Sequence, residues 1–498
     1  MAPRNLSRAL VDNCLEAGRG DQAAIREPKR VWTYARLADE MARAAAALAE
    51  LGVKPGERIA LLMHDSLELV ATFLGAIRLG AVPVPVNALL RPLELRTLLN
   101  HATAVEVVAS GDLAQSVDAV RGELPSLRHL CTVGGAHPGQ LDFGALCRDV
   151  EPATVVHQPA DGEPAFVLYS AATHDEPRAV AHDHATPGHA FDAYARAVLQ
   201  LGAGDRVLST AKLSTAYGLG LGLLAPLQAG AATFVLPGRA RPRTLFDVLA
   251  AFAPTVFAAT PSLYAQLAHD FAELQPPRPR LMASVRHAVS GGEMLPIAVE
   301  RRVRELFGVD LLHGFGLTDA LGFVLSNRPQ ARRDLSVGTP LPGVEARVVD
   351  DQGMPVAAQE IGTLELRTPT LAAPLRPGDR FLVDSDGYYY YCGRADDLFK
   401  VSGRWVAPSE IERALLLHPA VWECVVVEDR DDDGLPHPHA FVVANVGHAP
   451  TPDLAHELML FVKREIAPYK YPRQVSFIDT LPRAADGKVQ RWKLRGAM

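Results

Sequence analysis

The sequence contains few cysteines. Its 498 residues include five, at positions 14, 131, 147, 392 and 424, and no two of them form a Cys-x-x-Cys pair. An odd number of cysteines without such spacing argues against a disulfide-stabilised secreted protein. We therefore expect a reduced chain in the cytoplasm.

A marked excess of one charge is also missing. Lysine plus arginine number 50 and aspartate plus glutamate number 57, which gives a formal net charge of −7. Proteins that bind nucleic acid usually carry a basic patch or stripe, and this mild acidity suggests none. The composition therefore predicts no nucleic-acid partner.

Long hydrophobic runs are scarce. Residues 1–18 contain no continuous apolar core, so we expect no signal peptide. Residues 213–238 carry no charge and are long enough to suggest a membrane span, but they include several glycines, two prolines and polar residues. We interpret this segment as a buried helix and strand, and expect no membrane partner.

Strand-like and helix-like segments alternate through most of the chain. Such alternation is typical of parallel α/β layers. A first block is followed by a break rich in proline, aspartate and glycine at residues 157–164, after which a second block begins. The first block has predicted helices at 34–51, 67–79 and 92–101 and strands at 58–63, 81–86 and 105–110; the second has strands at 165–170, 206–210, 232–236, 255–259 and 285–290 and helices at 261–270 and 296–307.

The pattern changes after about residue 335. Short β-type runs suggest a small β subdomain that ends near Cys392, and an α+β module follows Asp396. We place a domain boundary at Asp396, giving domains 1–395 and 396–498. The expected fold class is α/β, with two α/β subdomains and a small β subdomain in a large N-terminal domain, then a small α+β C-terminal domain. Within this last domain the predicted helices are 408–418 and 454–466 and the predicted strands 422–427 and 440–444.

A dense group of chemically useful residues lies at positions 378–412. Asp379 follows a glycine at a strand end, which suits a bidentate hold on a ribose diol, and Arg394 could bind the same sugar or a phosphate. Taken alone, the segment could equally be a charged hairpin and linker. Its ordered motifs decide the matter: Gly-Asp at 378–379, Gly-Arg-x-Asp-Asp at 393–397, Lys-x-x-Gly at 400–403 and Pro-x-Glu-Ile-Glu at 408–412.

These motifs resemble those of the adenylate-forming superfamily, and nearly the whole chain resembles benzoate-CoA ligases within it. The segments AKLSTAYGLG (211–220), ADDLFKVSGRWVAPSEIE (395–412) and APYKYPR (467–473) carry the second resemblance best. It implies an AMP-forming aryl-CoA ligase that uses ATP, Mg²⁺ and coenzyme A on a small aromatic acid. It also implies that the C-terminal domain is mobile and swings about a hinge at Asp396.

The nucleotide site follows from further motifs that resemble the family's. In HGFGLTDA (313–320), Phe315 would stack on adenine or line its slot, and Thr318 would meet the α-phosphate. Asp319 stands where the family usually has glutamate, so a magnesium role is kept with a shorter reach. SGGEMLP (290–296) resembles the adenine-binding turn. The implied ATP/AMP contacts are Ser170, Thr173, His174, Arg178, Gly292, Glu293, His313, Gly314, Phe315, Gly316, Asp379 and Arg394.

The catalytic lysine is expected at Lys488, in the segment LPRAADGKVQRWKLR (481–495). A lysine after glycine in a turn is more often a solvated surface residue. Its place resembles the family's last motif, whose lysine reaches the carboxylate and the α-phosphate during adenylation. Ala485 and Asp486 differ from the family's usual residues. The implied catalytic set is Lys488, Thr318 and Asp319.

The phosphate loop departs most from the family. After a strand, the chain reads Ser-Ala-Ala-Thr-His-Asp-Glu-Pro-Arg-Ala at 170–179, so all three glycines are lost and arginine replaces lysine. Glycines let backbone N–H groups approach phosphates closely, and Asp175 and Glu176 add negative charge beside a polyanion. We expect a lower affinity for ATP but retained activity, because Lys488, Asp379 and Arg394 are kept.

The resemblance also implies an aryl pocket and a CoA site. Where benzoate-specific members have two aromatic residues and a histidine, this chain has Ser214, Thr215 and Gly322, which give space and hydrogen-bonding capacity. We therefore hypothesise a ring-substituted benzoate, such as an amino- or hydroxybenzoate. The implied aryl contacts are Ser214, Thr215, Ala216, Tyr217, Gly218, Leu321 and Gly322, and the CoA contacts Lys400, Ser402, Gly403, Trp405 and Lys470.

Two other functions stay open at this point. One is a stand-alone adenylation enzyme that loads a carrier protein, since the sequence does not separate this acceptor from free CoA. The other is a catalytically impaired homologue that binds adenylates through a degenerate phosphate loop. The sequence also leaves a homodimer open.

Overall fold

A computed structural model describes residues 4–170, 177–274, 281–371, 373–394, 399–401, 404–431, 435–466, 470–483 and 489–494. The chain forms two compact units. The first comprises residues 1–259, 281–288 and 316–324, and the second comprises residues 260–280, 289–315 and 325–498. The predicted hinge and boundary residue, Asp396, lies outside the described residues, so that boundary stays a prediction.

The helices and strands agree closely with the sequence pattern. The α-helices are α1 (Asn13–Glu16), α2 (Tyr34–Glu50), α3 (Leu67–Leu79), α4 (Pro92–Ala102), α5 (Ala114–Asp118), α6 (Phe143–Asp149), α7 (Thr186–Ala190), α8 (Ala216–Leu219), α9 (Ala225–Ala229), α10 (Pro242–Phe252), α11 (Pro261–Ala272), α12 (Ile297–Phe307), α13 (Pro408–Leu415) and α14 (Pro452–Glu465). The strands are β1 (Ala23–Arg26), β2 (Val31–Thr33), β3 (Arg58–Leu62), β4 (Val82–Pro85), β5 (Glu106–Ser110), β6 (His129–Val133), β7 (Leu141–Asp142), β8 (Pro164–Ser170), β9 (Arg178–Asp183), β10 (Arg206–Ser209), β11 (Ala232–Phe234), β12 (Val256–Ala259), β13 (His287–Ser290), β14 (Leu311–Leu317), β15 (Gly322–Ser326), β16 (Thr339–Pro340), β17 (Glu345–Val349), β18 (Gly362–Arg367), β19 (Asp379–Val383), β20 (Tyr389–Arg394), β21 (Phe399–Val401), β22 (Arg404–Val406), β23 (Val421–Arg430), β24 (Pro436–Ala444) and β25 (Gln474–Phe477).

The first α/β block is a five-stranded parallel sheet in the order β4-β3-β5-β6-β7. Its central strands are short apolar runs, as expected of parallel strands covered on both faces. In register, Ile59 lies opposite Pro83 on one side and Glu106 on the other. The predicted parallel α/β layer is confirmed.

Strands of the second block and of the start of the chain form the order β12-β10-β11-β1-β2 in the first unit. Strands β10, β11 and β12 pair in parallel, as predicted. Strand β1, which comes from the beginning of the chain, joins them by pairing in parallel with β11. The sequence pattern did not identify β1, because a four-residue strand with two buried positions carries little periodic signal.

Strand β8 corrects one expectation. The segment 165–170 was predicted as a strand of the parallel layer, but β8 pairs in antiparallel fashion with β9 as a two-stranded sheet. A parallel pair needs a crossover of about a dozen residues or more, and far fewer separate Ser170 from Arg178. The predicted phosphate loop therefore connects the two strands of a hairpin.

The second unit contains the predicted β subdomain and α+β module. Strands β17-β18-β19-β20 form an antiparallel sheet, which confirms the β subdomain. Farther along the chain, β23-β24-β25 form a three-stranded sheet whose apolar cluster includes residues of α13 and α14. Both β23 and β24 extend beyond the predicted strands 422–427 and 440–444.

The charge-free segment 213–238 folds as predicted. It forms α8, a π-helical turn at Gly220–Leu224, α9 and β11, and most of its residues are buried. Among the described residues, no helix is both long and apolar enough to cross a bilayer.

Helices α2 and α3 pack closely in the first unit. Thr33 caps α2 and Ser66 caps α3 through side-chain oxygens that accept backbone N–H groups. A Cβ atom added at Gly75 would lie 2.8 Å from both the Ala44 Cβ and the Met41 carbonyl oxygen. The approach of the two helices therefore requires glycine at position 75.

We predict that Gly75→Val destabilises the first unit. The new side chain would overlap the backbone of α2, and overpacking of this kind costs about 1–3 kcal/mol. Gly122→Val is the control, because no heavy atom lies within 4 Å of an added Cβ there. Urea unfolding should show a lower free energy of unfolding for Gly75→Val alone; equal losses in both variants would contradict the packing argument.

Candidate active site

A guanidinium–carboxylate pair lies at the end of the β8–β9 hairpin. The Arg178 Nη1 donates to Asp319 Oδ1 at 2.8 Å, and the Arg178 Nη2 donates to Asp319 Oδ2 at 2.6 Å. Arg178 begins β9, and Asp319 lies in the 3₁₀ turn Thr318–Ala320 that follows β14. The Arg178 Nε also donates to the Ser170 hydroxyl oxygen at 3.1 Å. The structure thus brings together three residues that the resemblance assigned to the phosphate end of ATP.

The ion pair fixes the charges of both partners. Burial acts to raise the pKa of the Asp319 carboxyl, but hydrogen bonds and charge from Arg178 outweigh it and lower the pKa. The pKa of the Arg178 guanidinium is raised, mainly by its hydrogen bonds to Asp319. Both groups are therefore ionised at neutral pH.

His182 lies beside this pair as a buried, neutral imidazole. Its side chain is on β9, and the residue is only 1% exposed. The ring stacks on Phe166 with centroids 5.0 Å apart. Burial lowers the pKa of His182 to about 4, although Asp319 and Asp183 act in the opposite direction. At neutral pH the imidazole therefore does not compete with Arg178 for Asp319.

An aromatic-walled cavity lies within the first unit. In its wall, the Phe323 ring contacts two tyrosine rings. Its centroid lies 4.9 Å from that of Tyr194 and 5.4 Å from that of Tyr217. The Tyr217 hydroxyl donates to the carbonyl oxygen of Ala259, at the end of β12, over 3.3 Å. The cavity is lined by Pro187, Ala190, Phe191, Tyr194, Ala195, Tyr217, Gly220, Leu221, Leu224, Ala225, Leu321, Gly322 and Phe323.

The predicted aryl residues divide into two groups. Tyr217, Leu321 and Gly322 line the cavity, whereas Ser214, Thr215, Ala216 and Gly218 do not. The second group builds the turn that presents Tyr217. The Thr215 hydroxyl donates to the Lys212 carbonyl oxygen at 2.8 Å and accepts the Gly218 N–H at 3.1 Å, so it caps α8. A Cβ at Gly218 would lie 2.1 Å from the same Lys212 oxygen, and the turn therefore needs glycine.

The second unit holds the predicted adenosine contacts. Phe315 lies against the β19–β20 hairpin, with its centroid 5.0 Å from that of Phe381 and 5.9 Å from that of Tyr391. The same hairpin places Asp379 opposite Arg394 in register, with Arg394 Nη1 3.7 Å from Asp379 Oδ1. A partly exposed aromatic ring and a carboxylate–arginine pair thus share one edge of the small β sheet, an arrangement suited to a base and its ribose.

Other predicted contacts in the second unit are engaged with protein groups. Glu293 accepts hydrogen bonds from the Ser262 N–H and hydroxyl, and burial raises its pKa. His313 is buried, with Nδ1 3.2 Å from the Ser290 carbonyl oxygen, and burial lowers its pKa to about 4. Lys470 donates to both oxygens of Glu410. Of the remaining predicted glycines, Gly292 lies in a left-handed turn and Gly314 in strand β14; Gly316, also in β14, belongs to the first unit.

Two family models and several relatives match this chain. The family described as AMP-binding enzyme matches residues 13–374, and the AMP-binding enzyme C-terminal domain matches residues 410–488. The chain belongs to the AMP-binding enzyme family. The sequence-based predictions of an adenylate-forming fold and of an AMP-forming acid–thiol ligase are confirmed by this membership.

Three relatives illustrate the similarity across nearly the full length. The benzoate–CoA ligase of Thauera aromatica is 36% identical over 99% of this chain and 96% of its own length. The 4-hydroxybenzoate–CoA/benzoate–CoA ligase of Rhodopseudomonas palustris is 36% identical over 99% and 94%. The crystal structure of the anthranilate CoA ligase AuaEII in complex with anthranoyl-AMP has a TM-score of 0.92 at 33% identity, covering 99% of this chain and 97% of that one.

Several residues assigned from the AMP-binding motifs lie outside the described residues. They are Thr173, His174, Asp396, Ser402, Gly403 and Lys488, together with the side chains of Lys400 and Trp405. Their roles stay predictions.

The sequence motifs missed part of the cavity wall. Tyr194 lies in a π-helical turn, and Phe323 is the second residue of β15, just after the AMP-binding motif at 313–320. Neither position belongs to a motif, and only the fold brings them to Tyr217. The one available signal was the proximity of Phe323 to Leu321 and Gly322, which the resemblance had already placed at the aryl pocket.

We predict that His182 makes stability depend on pH. The unfolded imidazole binds a proton near pH 6.5, whereas the folded one binds it near pH 4. The contribution of the neutral ring is therefore complete above pH 6.5 and is lost as pH falls toward about 4, by about 3 kcal/mol in all.

His182→Phe keeps an aromatic ring but cannot be protonated, so it should flatten the decline in unfolding free energy over this pH range. His137→Phe, in an exposed loop, is the control and should keep the wild-type slope. Parallel slopes for wild type and His182→Phe would show that His182 is not the group responsible.

Proposed function

We propose that this enzyme activates a benzoate-type aromatic acid with ATP and transfers the aryl group to coenzyme A. A carboxylate oxygen attacks the α-phosphorus, pyrophosphate leaves, and an aryl-adenylate forms. The CoA thiolate then attacks the acyl carbon, and AMP leaves with the bonding electron pair. The observation that carries this proposal is the cavity walled by Tyr194, Tyr217 and Phe323, because a flat aromatic ring suits such walls.

The nucleotide end of the proposal is supported separately in the two units. In the second unit, Phe315 offers an aromatic face for adenine, and Asp379 with Arg394 offers a hold on the ribose. In the first unit, Thr318 and Arg178 are the candidates for contact with phosphate oxygens. Preorganised donors of this kind act mainly on the charge that develops at the α-phosphorus.

The C-terminal residues complete the proposal. Lys488 would stabilise the negative charge of the adenylation transition state. Rotation about Asp396 would then withdraw Lys488 and bring the CoA residues to the acyl-adenylate. In this proposal the CoA contacts are Lys400, Ser402, Gly403, Trp405 and Lys470.

Magnesium bound with ATP would neutralise phosphate charge, but the described residues do not fit a protein ligand for it. Both oxygens of Asp319 are engaged by Arg178. Moreover, no group of three or more His, Cys, Asp or Glu side chains suited to a metal occurs in the described part of the chain. No step above therefore runs through a protein-bound metal.

The substrate we propose is a ring-substituted benzoate, such as an amino- or hydroxybenzoate. This choice is supported by the room for a ring substituent beside Gly322, which lines the cavity. No heavy atom lies within 4 Å of a Cβ added at Gly322. The Thr215 hydroxyl is used as a helix cap, so we assign the selectivity to the room beside Gly322. Relatives named for 4-hydroxybenzoate and anthranilate are in keeping with such a pocket.

The direct test is release of pyrophosphate and AMP with ATP, CoA and a panel of benzoates. We expect CoA-dependent AMP release with at least one substituted benzoate. If AMP were released only when a carrier protein was added, the acceptor of the aryl group would be that carrier protein and not CoA. Binding of an aryl-adenylate analogue without any turnover would indicate a catalytically impaired homologue.

We predict that Lys488→Ala separates the two half-reactions. Loss of one charge-stabilising donor should slow pyrophosphate release about 100-fold or more. Formation of aryl-CoA from a supplied aryl-adenylate should stay within about threefold of wild type, because the lysine acts only in adenylation. Lys29→Ala, at an exposed position, is the control. Equal losses in both half-reactions would contradict the assignment of Lys488 to the first step.

We predict that Gly322→Val shifts the preference toward unsubstituted benzoate. The side chain would occupy the open space in the cavity and would also strain the backbone, because φ at Gly322 is +158°, so the thermal midpoint is measured in parallel. Each methylene group in such a pocket changes kcat/KM by about 10-fold or more. The ratio of kcat/KM for 2-aminobenzoate over benzoate should fall accordingly. Gly204→Val, in an exposed loop with nothing within 4 Å, should leave the ratio unchanged. An unchanged ratio in Gly322→Val would place the substituent elsewhere.

A further inference from the structure

Two departures from the adenylate-forming pattern turn out to be in contact. Arg178 stands where the family usually has lysine, and Asp319 stands where it usually has glutamate. The two residues are 141 positions apart in the chain, yet their side chains form two parallel hydrogen bonds of 2.8 and 2.6 Å. Each replacement changes the length or shape of a charged side chain, and the two new side chains form one ion pair with each other.

The geometry depends on both replacements. A guanidinium is a planar fork that presents two N–H groups to two carboxylate oxygens, whereas an ammonium group is a single point of charge. Glutamate would carry the carboxylate one methylene farther and would move it out of line with the fork. Arginine with aspartate is thus the combination that closes the pair at this distance.

Neighbouring groups hold the pair in place. The third guanidinium nitrogen, Nε, donates to the Ser170 hydroxyl, so each nitrogen of Arg178 has a partner. The Asp319 side chain is only 13% exposed, while that of Arg178 is 54% exposed. His182 is buried beside the pair, and its ring stacks on Phe166 with centroids 5.0 Å apart.

We propose that the Arg178–Asp319 pair withholds the Asp319 carboxylate from divalent metal, so that the enzyme takes up its metal ion only on the phosphates of the nucleotide. This inference rests on the proposed use of ATP. In it, Asp319 is a positioning residue: it orients the guanidinium of Arg178, whose side chain is 54% exposed and keeps two further N–H hydrogens for phosphate oxygens. The altered phosphate loop thereby retains a fixed cation without a lysine.

According to the proposal, metal binding does not depend on Asp319, and Mn²⁺ binding can test this directly. Mn²⁺ replaces Mg²⁺ as the probe, and free Mn²⁺ is followed by electron paramagnetic resonance, first with enzyme alone. Wild type and Asp319→Asn should bind the same amount of Mn²⁺. A site that is present in wild type and lost in Asp319→Asn would overturn the proposal, whether or not the protein binds nucleotide.

A second measurement uses α,β-methylene ATP, which cannot release pyrophosphate. Its Kd is measured by calorimetry with and without Mn²⁺, and the ratio of the two values gives the coupling between metal and nucleotide. We expect the coupling of Asp319→Asn to match wild type within about twofold. A fall of about tenfold or more, as expected on losing a metal ligand, would overturn the proposal.

Removing the arginine of the pair, instead of the aspartate, should change the metal–nucleotide coupling. Arg178→Met frees the Asp319 carboxylate, so metal–nucleotide coupling should rise about tenfold, and the double variant Arg178→Met/Asp319→Asn should return to the wild-type value. Unchanged coupling in Arg178→Met would also overturn the proposal. Arg286→Lys is the matched control, since Arg286 forms a similar two-point pair with Asp205.

The two measurements, with Mn²⁺ alone and with α,β-methylene ATP, distinguish failure of this proposal from failure of the proposed function. If α,β-methylene ATP bound to none of the proteins, the proposed nucleotide chemistry would fail, and the experiment with Mn²⁺ alone would still decide whether Asp319 is a metal ligand. The thermal midpoint of each variant, measured in parallel, identifies any substitution that disrupts folding instead of the pair.

Discussion

Burial of one shared apolar core holds the first unit together. The same cluster contains Leu61 and Val108 from the first parallel sheet and Val235, the residue after β11, with residues of α2 and α3 packed among them. Strand β1 pairs with β11, and the Tyr34 hydroxyl at the start of α2 donates to the Ala231 carbonyl oxygen over 2.9 Å. The first fifty residues therefore join two α/β blocks that are separate in sequence.

The candidate active site depends on this core for its positions. The β8–β9 hairpin packs through Phe166 into the core and carries Arg178 at its far end. The wall residue Tyr217 is fixed to the end of β12. The side chains of the candidate site thus lie at the ends of strands, where the packed core sets their positions.

Most of the fold could be predicted because periodicity reflects burial. Helix α3 has the predicted bounds, since its caps and apolar face are local properties of the sequence. Strand β1 and the antiparallel pairing of β8 were missed for a physical reason: both depend on which distant segment supplies the partner. Local pattern gives the type of an element more readily than its neighbour in a sheet.

The site shows the same division. Motifs predicted Arg178, Asp319, Tyr217 and Gly322 as candidates one by one, each from a short segment. The pairing of Arg178 with Asp319 could not be read from either segment, because it depends on the fold that connects them. The cavity residues outside the motifs, such as Tyr194, were missed for the same reason.

Thr215 shows how substrate range and folding can become linked. Its hydroxyl closes the first turn of α8, the turn that presents Tyr217 to the cavity. An aromatic residue at this position would remove that cap, which contributes about 1 kcal/mol in typical helices. A substitution at this turn therefore alters local stability and the support of Tyr217 in the same step. Such a change would be accepted more readily where the turn is also secured by backbone hydrogen bonds, such as the 2.9 Å bond from the Thr215 N–H to the Lys212 carbonyl oxygen.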